Sequence, residues 1–328
     1  MRRWTDGGAG TVGVVRVLDR HGFGTVEAGQ LFTAAPDGDI AGAVLRGALD
    51  RHVVPLAIAE ATGAPPIVRE LHVAEDDALD AGLACSGGAT LLAHPLTAGL
   101  AAALGTALEH GQPAALLSTT NGAAVLVLTG PDLADAHGSL GTESRDDVAA
   151  DIARNRLRRG ATVTETMHVQ GADLLLDLWV PLPSVLVAGV GAIGDALTAQ
   201  AALLGWTVRH VTDADDAKAA VADFSDADVL VLLDHDPVFD AVLIDGLRRG
   251  RGFFGALGSR HTQAARRERL LAAGLTADHL AALHGPVGLD LGARTPAETA
   301  VSIVAQVIAL RAARSGTALA VGQGRISG

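Results

Sequence analysis

Residues 184–213 read SVLVAGVGAIGDALTAQAALLGWTVRHVTD, and few folds accommodate that order. Val185 to Ala188 is wholly apolar, as a central parallel strand buried on both faces requires. Gly189, Gly191 and Gly194 follow at the G-x-G-x-x-G spacing, and an Ala/Leu-rich helical segment then runs to a stop at Gly205. Each glycine has a use in a strand, turn and helix of this kind. Gly189 permits the turn, Gly191 clears room for a phosphate, and Gly194 lets the helix lie close to the strand. A pyrophosphate would sit on the helix N-terminus, which makes Gly189, Gly191, Ala192, Ile193 and Gly194 candidate cofactor-binding residues. The next strand, Thr207 to Thr212, ends at Asp213, whose carboxylate is placed to accept hydrogen bonds from a ribose. The alternative is that the glycines serve only strand-to-helix packing.

The chain's 328 residues suffice for two domains, and 49% hydrophobic content supplies their cores. No apolar run reaches the length of a membrane span, and Met1-Arg2-Arg3 is not followed by an apolar stretch of signal-peptide type, so a cytoplasmic protein is expected. A net charge of −12 argues against a nucleic-acid surface. Any anionic ligand must therefore be met locally, by helix-start amides and a few arginines. The single cysteine, Cys85, excludes an intramolecular disulfide and a multi-cysteine zinc site, and no metal site is expected.

Before the glycine-rich unit the pattern is mixed. Strands are expected at Thr11–Leu18, Gln30–Thr33, Ile40–Leu45 and Ile67–Val73, with a helix over Arg46–Ala61 that Pro55 kinks or shortens. A helix at Thr97–His110 precedes strands at Ala114–Ser118 and Ala124–Leu128. Asp132–Ser144, polar and Gly-containing, reads as a surface loop. A helix at Asp146–Arg159 and a hairpin of Thr162–Val169 with Asp173–Trp179 complete this part. Pro181 and Pro183 form a stiff connection.

After it, strand and helix alternate, which implies a parallel sheet covered on both faces. Asp228–Leu233 is a buried strand running into Asp234-His235-Asp236, and Phe253–Leu257 runs into Gly258-Ser259-Arg260-His261. Ligands of such sheets lie at the strands' carboxyl ends. That places His235 where chemistry is expected and makes Gly258, Ser259 and Arg260 a second candidate anion site, with Ser259 capping the next helix. Arg266 and Arg267, farther along that helix, are expected to face solvent. Thr295-Pro296-Ala297-Glu298 is a capping box opening a long apolar helix.

The stretches FFGALGSRHTQAARRERLLAAGL and HGPVGLDLGARTPAETAVSIVAQVIAL resemble the C-terminal domain of the XdhC/CoxI family. The likeness rests on Gly255, Gly258-Ser259-Arg260, Gly285-Pro286, Gly288-Leu289-Asp290, Gly292 to Pro296, Glu298 and His235. It covers residues 184–314 well and 11–96 thinly, where Gly82 to Gly88, with Cys85, is similar to the family's Gly-Leu-x-Cys-Gly-Gly segment. The chain departs from the family at Gly47-Ala48, where a second cysteine is missing, at His21 to Gly24, and at Ala192, where the family reads His. The resemblance implies an α/β fold with a C-terminal Rossmann-like doubly wound parallel sheet (184–314), an N-terminal mixed α+β domain (1–183) and a flexible tail (315–328).

It also implies an accessory protein that binds molybdenum cofactor (molybdopterin) during sulfuration and hands it to a molybdenum hydroxylase. A cysteine desulfurase and a second copy of the chain are then further expected partners. Cys85, as a thiolate for a soft metal or for sulfur, and His235 are the catalytic candidates. Against this, a lone cysteine is more often a small apolar core residue. A second class stays open: an NAD(P)-dependent oxidoreductase on the same scaffold, favoured by the intact glycine fingerprint and Asp213. A third is a binding module without chemistry.

Overall fold

The computed structural model describes residues 10–23 and 26–321, so the expectations for the N-terminal start, Gly24 and residues 322–328 lie outside the described residues. The chain forms two compact units. The first comprises the described residues up to Leu157 together with Thr162–Val180, and the second comprises Arg158–Ala161 and the described residues from Pro181 onward.

In the first unit one plan occurs twice. The first copy is β1 (Thr11–His21), β2 (Leu31–Ala34), β3 (Ile40–Gly42), α1 (Asp50–Ala61), β4 (Ile67–Val73), α2 (Glu75–Asp80) and β5 (Gly87–Thr97). Helix α3 (Ala98–Glu109) leads to the second: β6 (Ala114–Thr119), β7 (Val125–Thr129), β8 (Asp135–Ser139), α4 (Glu143–Leu157), β9 (Val163–Val169) and β10 (Ala172–Trp179). Both sheets are antiparallel, ordered β3-β2-β1-β5-β4 and β8-β7-β6-β10-β9.

Alternation along β1 divides its side chains between two cores. Val15 and Val17 pack with Val53 and Ala57 of α1, whereas Val12 and Val14 pack with Leu104 of α3 and Ala114 and Leu116 of β6. Helix α1 lies directly on β1 at Gly13, where a Cβ would stand 1.8 Å from the Ala57 carbonyl oxygen. The far face of the second sheet, with Leu117, Leu126 and Leu176, packs on Ala149, Ala153 and Leu157 of α4. The layers are therefore helix, sheet, sheet, helix.

Between the sheets lies a fully buried ion pair. Arg16 of β1 donates from Nε to Asp177 of β10 at 2.7 Å, from Nη1 to Ser118 at 2.7 Å, and from Nη2 to the carbonyls of Leu116 and Leu175. Asp177 also accepts from Thr164. Desolvation pulls the Arg16 pKa below its ordinary value against the opposing pull of Asp177. Nearby His94 is fully buried, with Nδ1 donating to the Pro95 carbonyl at 3.2 Å. Burial, then the Arg16 charge, push its pKa down to about 3, so it stays neutral.

Three local expectations needed correction. The strand expected at Ile40–Leu45 stops at Gly42, because Leu45 opens a 3-10 turn with a left-handed φ of 48°. Asp135–Ser139, expected as loop, is an edge strand exposed at every residue, so no alternation marks it. Helix α1 starts at Asp50 rather than Arg46, because Arg46 adopts a left-handed φ of 54°, and it continues past Pro55 to Ala61.

The second unit alternates strand and helix: β11 (Ser184–Ala188), α5 (Ala192–Leu203), β12 (Thr207–Val211), α6 (Ala214–Ala222), β13 (Val229–Leu232), α7 (Asp240–Arg249), β14 (Phe253–Ala256), α8 (Arg260–Ala272), α9 (Ala277–Ala281), β15 (Leu283–His284) and α10 (Pro296–Arg311). The sheet is parallel throughout, ordered β12-β11-β13-β14-β15. Leu186, Leu230, Leu232 and Phe254 face α6 and α7, while Val185, Val187, Val229 and Val231 face α5 and α10. The topology reverses between β11 and β13, and in such sheets the ligand crevice opens beyond the carboxyl ends at that point.

At the opposite edge, Arg311 of α10 donates to the Gly160 carbonyl and lies 6.0 Å from the Trp206 ring centroid. Leu319–Val321 forms a 3-10 turn. Among the described residues no helix is long and apolar enough to cross a membrane.

Candidate functional site

In a parallel sheet every crossover helix begins at the strands' carboxyl edge, with its first amides and the positive end of its dipole aimed there. Five helical starts gather at this edge, and side-chain carboxylates of the chain itself close three. Asp213 Oδ1 accepts from the amides of Asp215 and Asp216 at 2.9 and 3.1 Å, which caps α6. Asp236 accepts from Val238 in the 3-10 turn before α7. Glu298 accepts from the amides of Arg294 and Thr295 at the start of α10, and these two bonds hold its pKa below the ordinary carboxylate value.

The other two starts have no carboxylate cap among the described residues, although Asp195 stands exposed in the first turn of α5. Helix α5 follows Gly191, which has no side chain to cap it and a φ of 128° that favours glycine. The amides of Ala192 and Ile193 have no acceptor among the described residues. Helix α8 is capped by the neutral hydroxyl of Ser259, which takes the Thr262 amide at 3.1 Å, and the amides of Arg260 and His261 have no acceptor among the described residues. Arg260 is exposed at this start.

The segment after β13 lies against both open starts. A Cβ on Gly189 would stand 3.0 Å from the Asp234 amide nitrogen, and one on Gly258 3.3 Å from the His235 ring. Gly194 has the packing role, since a Cβ there would meet Val187 and Leu233 within 3.4 Å. Around Gly191 a Cβ would meet nothing within 4 Å among the described residues, so they leave the space above the turn clear. Asp234 Oδ1 accepts from the Asp236 amide at 2.8 Å, so two aspartates hold consecutive tight turns and His235 stands exposed between them.

The structure thus brings Gly189 to Gly194, His235, and Gly258 to Arg260 to one rim. Asp213 is also at this edge, one β-strand outward, with one carboxylate oxygen committed to its helix cap. Cys85 belongs to the first unit, exposed in the turn before β5, so it is not a core residue. No group of three His, Cys, Asp or Glu side chains able to hold a metal occurs among the described residues.

Arg266 corrects the sequence reading: far from facing solvent, it is fully buried. Its Nε donates to Asp240 Oδ1 at 3.1 Å and its Nη2 to the Asp234 carbonyl at 2.9 Å, while Arg269 takes Asp240 Oδ2. The available signal was spacing: Gln263, Arg266 and Leu270 fall three and four apart, and they form the buried stripe of α8. Arg267 is half-buried and donates to the Leu280 carbonyl.

Compared with known proteins, residues 185–307 match the family model of the XdhC Rossmann domain. The Escherichia coli (strain K12) protein called Uncharacterized protein YqeB is 26% identical over 197 residues, covering 53% of this chain. The match spans 33% of that curated relative's length. A crystal structure described as a xanthine dehydrogenase from Bacillus halodurans is similar with a TM-score of 0.57 and 19% identity, over 98% of this chain and 96% of that one. At that identity the likeness is one of fold.

Proposed function

We propose that this chain, whose residues 185–307 form an XdhC Rossmann domain, is an accessory protein that binds molybdenum cofactor and delivers it to a molybdenum hydroxylase. One observation carries the reading. Two helix starts without an anionic cap, at Gly191 and Ser259, flank a single loop that bears His235. Molybdopterin is anionic through its phosphate, and uncapped helix N-termini are the backbone's own anion sites. The amides of Ala192 and Ile193 or of Arg260 and His261 would hold the phosphate, with the Arg260 guanidinium adding a forked cation. The clear space at Gly191 fits a group that must approach the backbone closely. The group would supply the molybdenum chemistry in the client enzyme; this chain's part is to bind, shield and release it. Exposed Cys85 is the residue offered to sulfur transfer, with a cysteine desulfurase as donor.

A second reading, an NAD(P)-dependent oxidoreductase, is favoured by Asp213, which lies exposed beyond β12 with Oδ2 unused among the described residues. The mass of the small molecule that co-purifies with the protein separates the two. Arg260→Ala then tests the shared site by calorimetric titration with that molecule. The expected loss is about 1.5–3 kcal/mol, the range for hydrogen bonds to charged groups, and salt narrows the gap. An Arg260→Ala protein that binds like wild type removes the anion site from the reading.

A further inference from the structure

The rim depends on where the Asp234–Asp236 segment sits, and the two aspartate turns shape that segment without anchoring it to α8. Arg266 supplies the anchor. From the second turn of α8 it reaches the carboxyl end of β13, donating to the Asp234 carbonyl at 2.9 Å, and it joins the start of α7 through Asp240 at 3.1 Å. Asp240 is itself 6% exposed and shared with Arg269. The guanidinium is an expensive way to fill this space, because its Nη1 is buried with no partner among the described residues. Buried ion pairs seldom repay their desolvation, so an incompletely satisfied one is a weak source of stability.

We infer that Arg266 is a positioning residue for the rim: it fixes the His235 loop and the α8 start at one spacing, so that the open amides at Gly191 and Ser259 address one anion. The inference rests on the proposed anion site, and it concerns this chain's own geometry whichever cofactor is held.

Two variants separate positioning from stability. Arg266→Met removes the bond to Asp234 and leaves Arg269 to neutralise Asp240. Asp240→Asn unpairs two cations yet keeps the bond to the Asp234 carbonyl. Amide hydrogen exchange over residues 234–236 and calorimetric titration with inorganic pyrophosphate are measured on the full chain. The expected result is faster exchange at Asp234 and Asp236, whose amides are hydrogen-bonded to the Ala188 carbonyl and to Asp234 Oδ1, and about tenfold weaker pyrophosphate binding in Arg266→Met. Asp240→Asn is expected to lose more thermal stability while holding affinity within about twofold. Wild-type exchange in Arg266→Met, or affinities that fall in step with stability in both variants, overturns the inference. A wild-type protein that ignores pyrophosphate overturns the anion site, and the exchange measurement still decides the role of Arg266. Should Arg266→Met fail to fold, Arg266→Lys, which keeps charge without the fork, is measured against the same outcomes.

Discussion

Arg16 in the first unit and Arg266 in the second are both fully buried against an aspartate, Asp177 and Asp240. All three nitrogens of Arg16 are partnered, across two sheets and far along the chain. Arg266 leaves Nη1 without a partner among the described residues, and one of its bonds goes to the backbone of an exposed loop. The same pair of residue types therefore serves two ends. Where the polar network closes on itself it joins layers, and where it stays open beneath a rim it sets the rim's shape.

That contrast breaks most readily at Asp177. Asp177→Ala strands a buried guanidinium and is expected to cost about 3–5 kcal/mol of unfolding free energy, measured in urea. Replacing both partners, Arg16→Met with Asp177→Leu, is expected to restore most of it. A cost below about 1 kcal/mol for the single variant would place the Arg16 network outside the stability of the unit.

Glu60 probes the same unit from the other side. It is 1% exposed, its Oε2 has no partner among the described residues, and burial raises its pKa from 4.5 to about 7. The folded state thus holds this proton more tightly than the unfolded chain. Its contribution is complete below pH 4.5 and is lost as pH rises through about 7. Glu60→Gln is therefore expected to stabilise the protein at pH 8, by up to about 3 kcal/mol, and to change little at pH 4.5. His94 has the opposite sign: its pKa falls from 6.5 to about 3, so its contribution is present above pH 6.5 and lost on acidification. Denaturation at pH 5, 6.5 and 8 resolves the two slopes, and a variant that tracks wild type at all three removes Glu60 from the account.

In the second unit the rim should respond to ligand more than to stability. Gly191→Val places a β-branched residue at a φ of 128°, with strain of about 1–3 kcal/mol. The larger expected effect is loss of detectable ligand binding, because the side chain fills the clear space above the turn. Binding that survives returns the glycines to packing alone. The smallest effect is assigned to Asp213→Asn. Asparagine caps as well as aspartate, so stability should move by only a few tenths of a kcal/mol. Preference for NAD over NADP should weaken if a ribose is held there, and titration with both nucleotides reads it.

Sequence revealed the second unit better than the first, for a physical reason. Buried parallel strands such as Val229–Leu232 are continuous apolar runs, and Gly191, Ser259 and Thr295 mark helix starts by local rules. Edge strands lack that signature: Asp135–Ser139 is exposed throughout, and Leu283–His284 is two residues long. The paired sheets of the first unit depend on contacts between residues as far apart as Arg16 and Asp177, which no window along the chain displays. At the site, the residues carrying motif spacing were legible. Arg266 was not, because a basic residue in a run of arginines reads as surface until the Gln263, Arg266 and Leu270 stripe is weighed.

The twice-used strand order of the first unit has a consequence for how the chain can be assembled. Each half is a complete five-stranded sheet with its own covering helix, and α3 with the short exposed loop Gly111-Gln112 joins them. A polypeptide break in that loop cuts no strand and removes no backbone pairing within either sheet. Fragments ending at Gly111 and beginning at Gln112 should therefore find each other when co-expressed, using Val12, Val14 and Leu104 against Ala114 and Leu116 as the apolar interface. Arg16 and Asp177, now on separate polypeptides, become the recognition pair, and exchanging their charges in only one fragment should abolish reassembly.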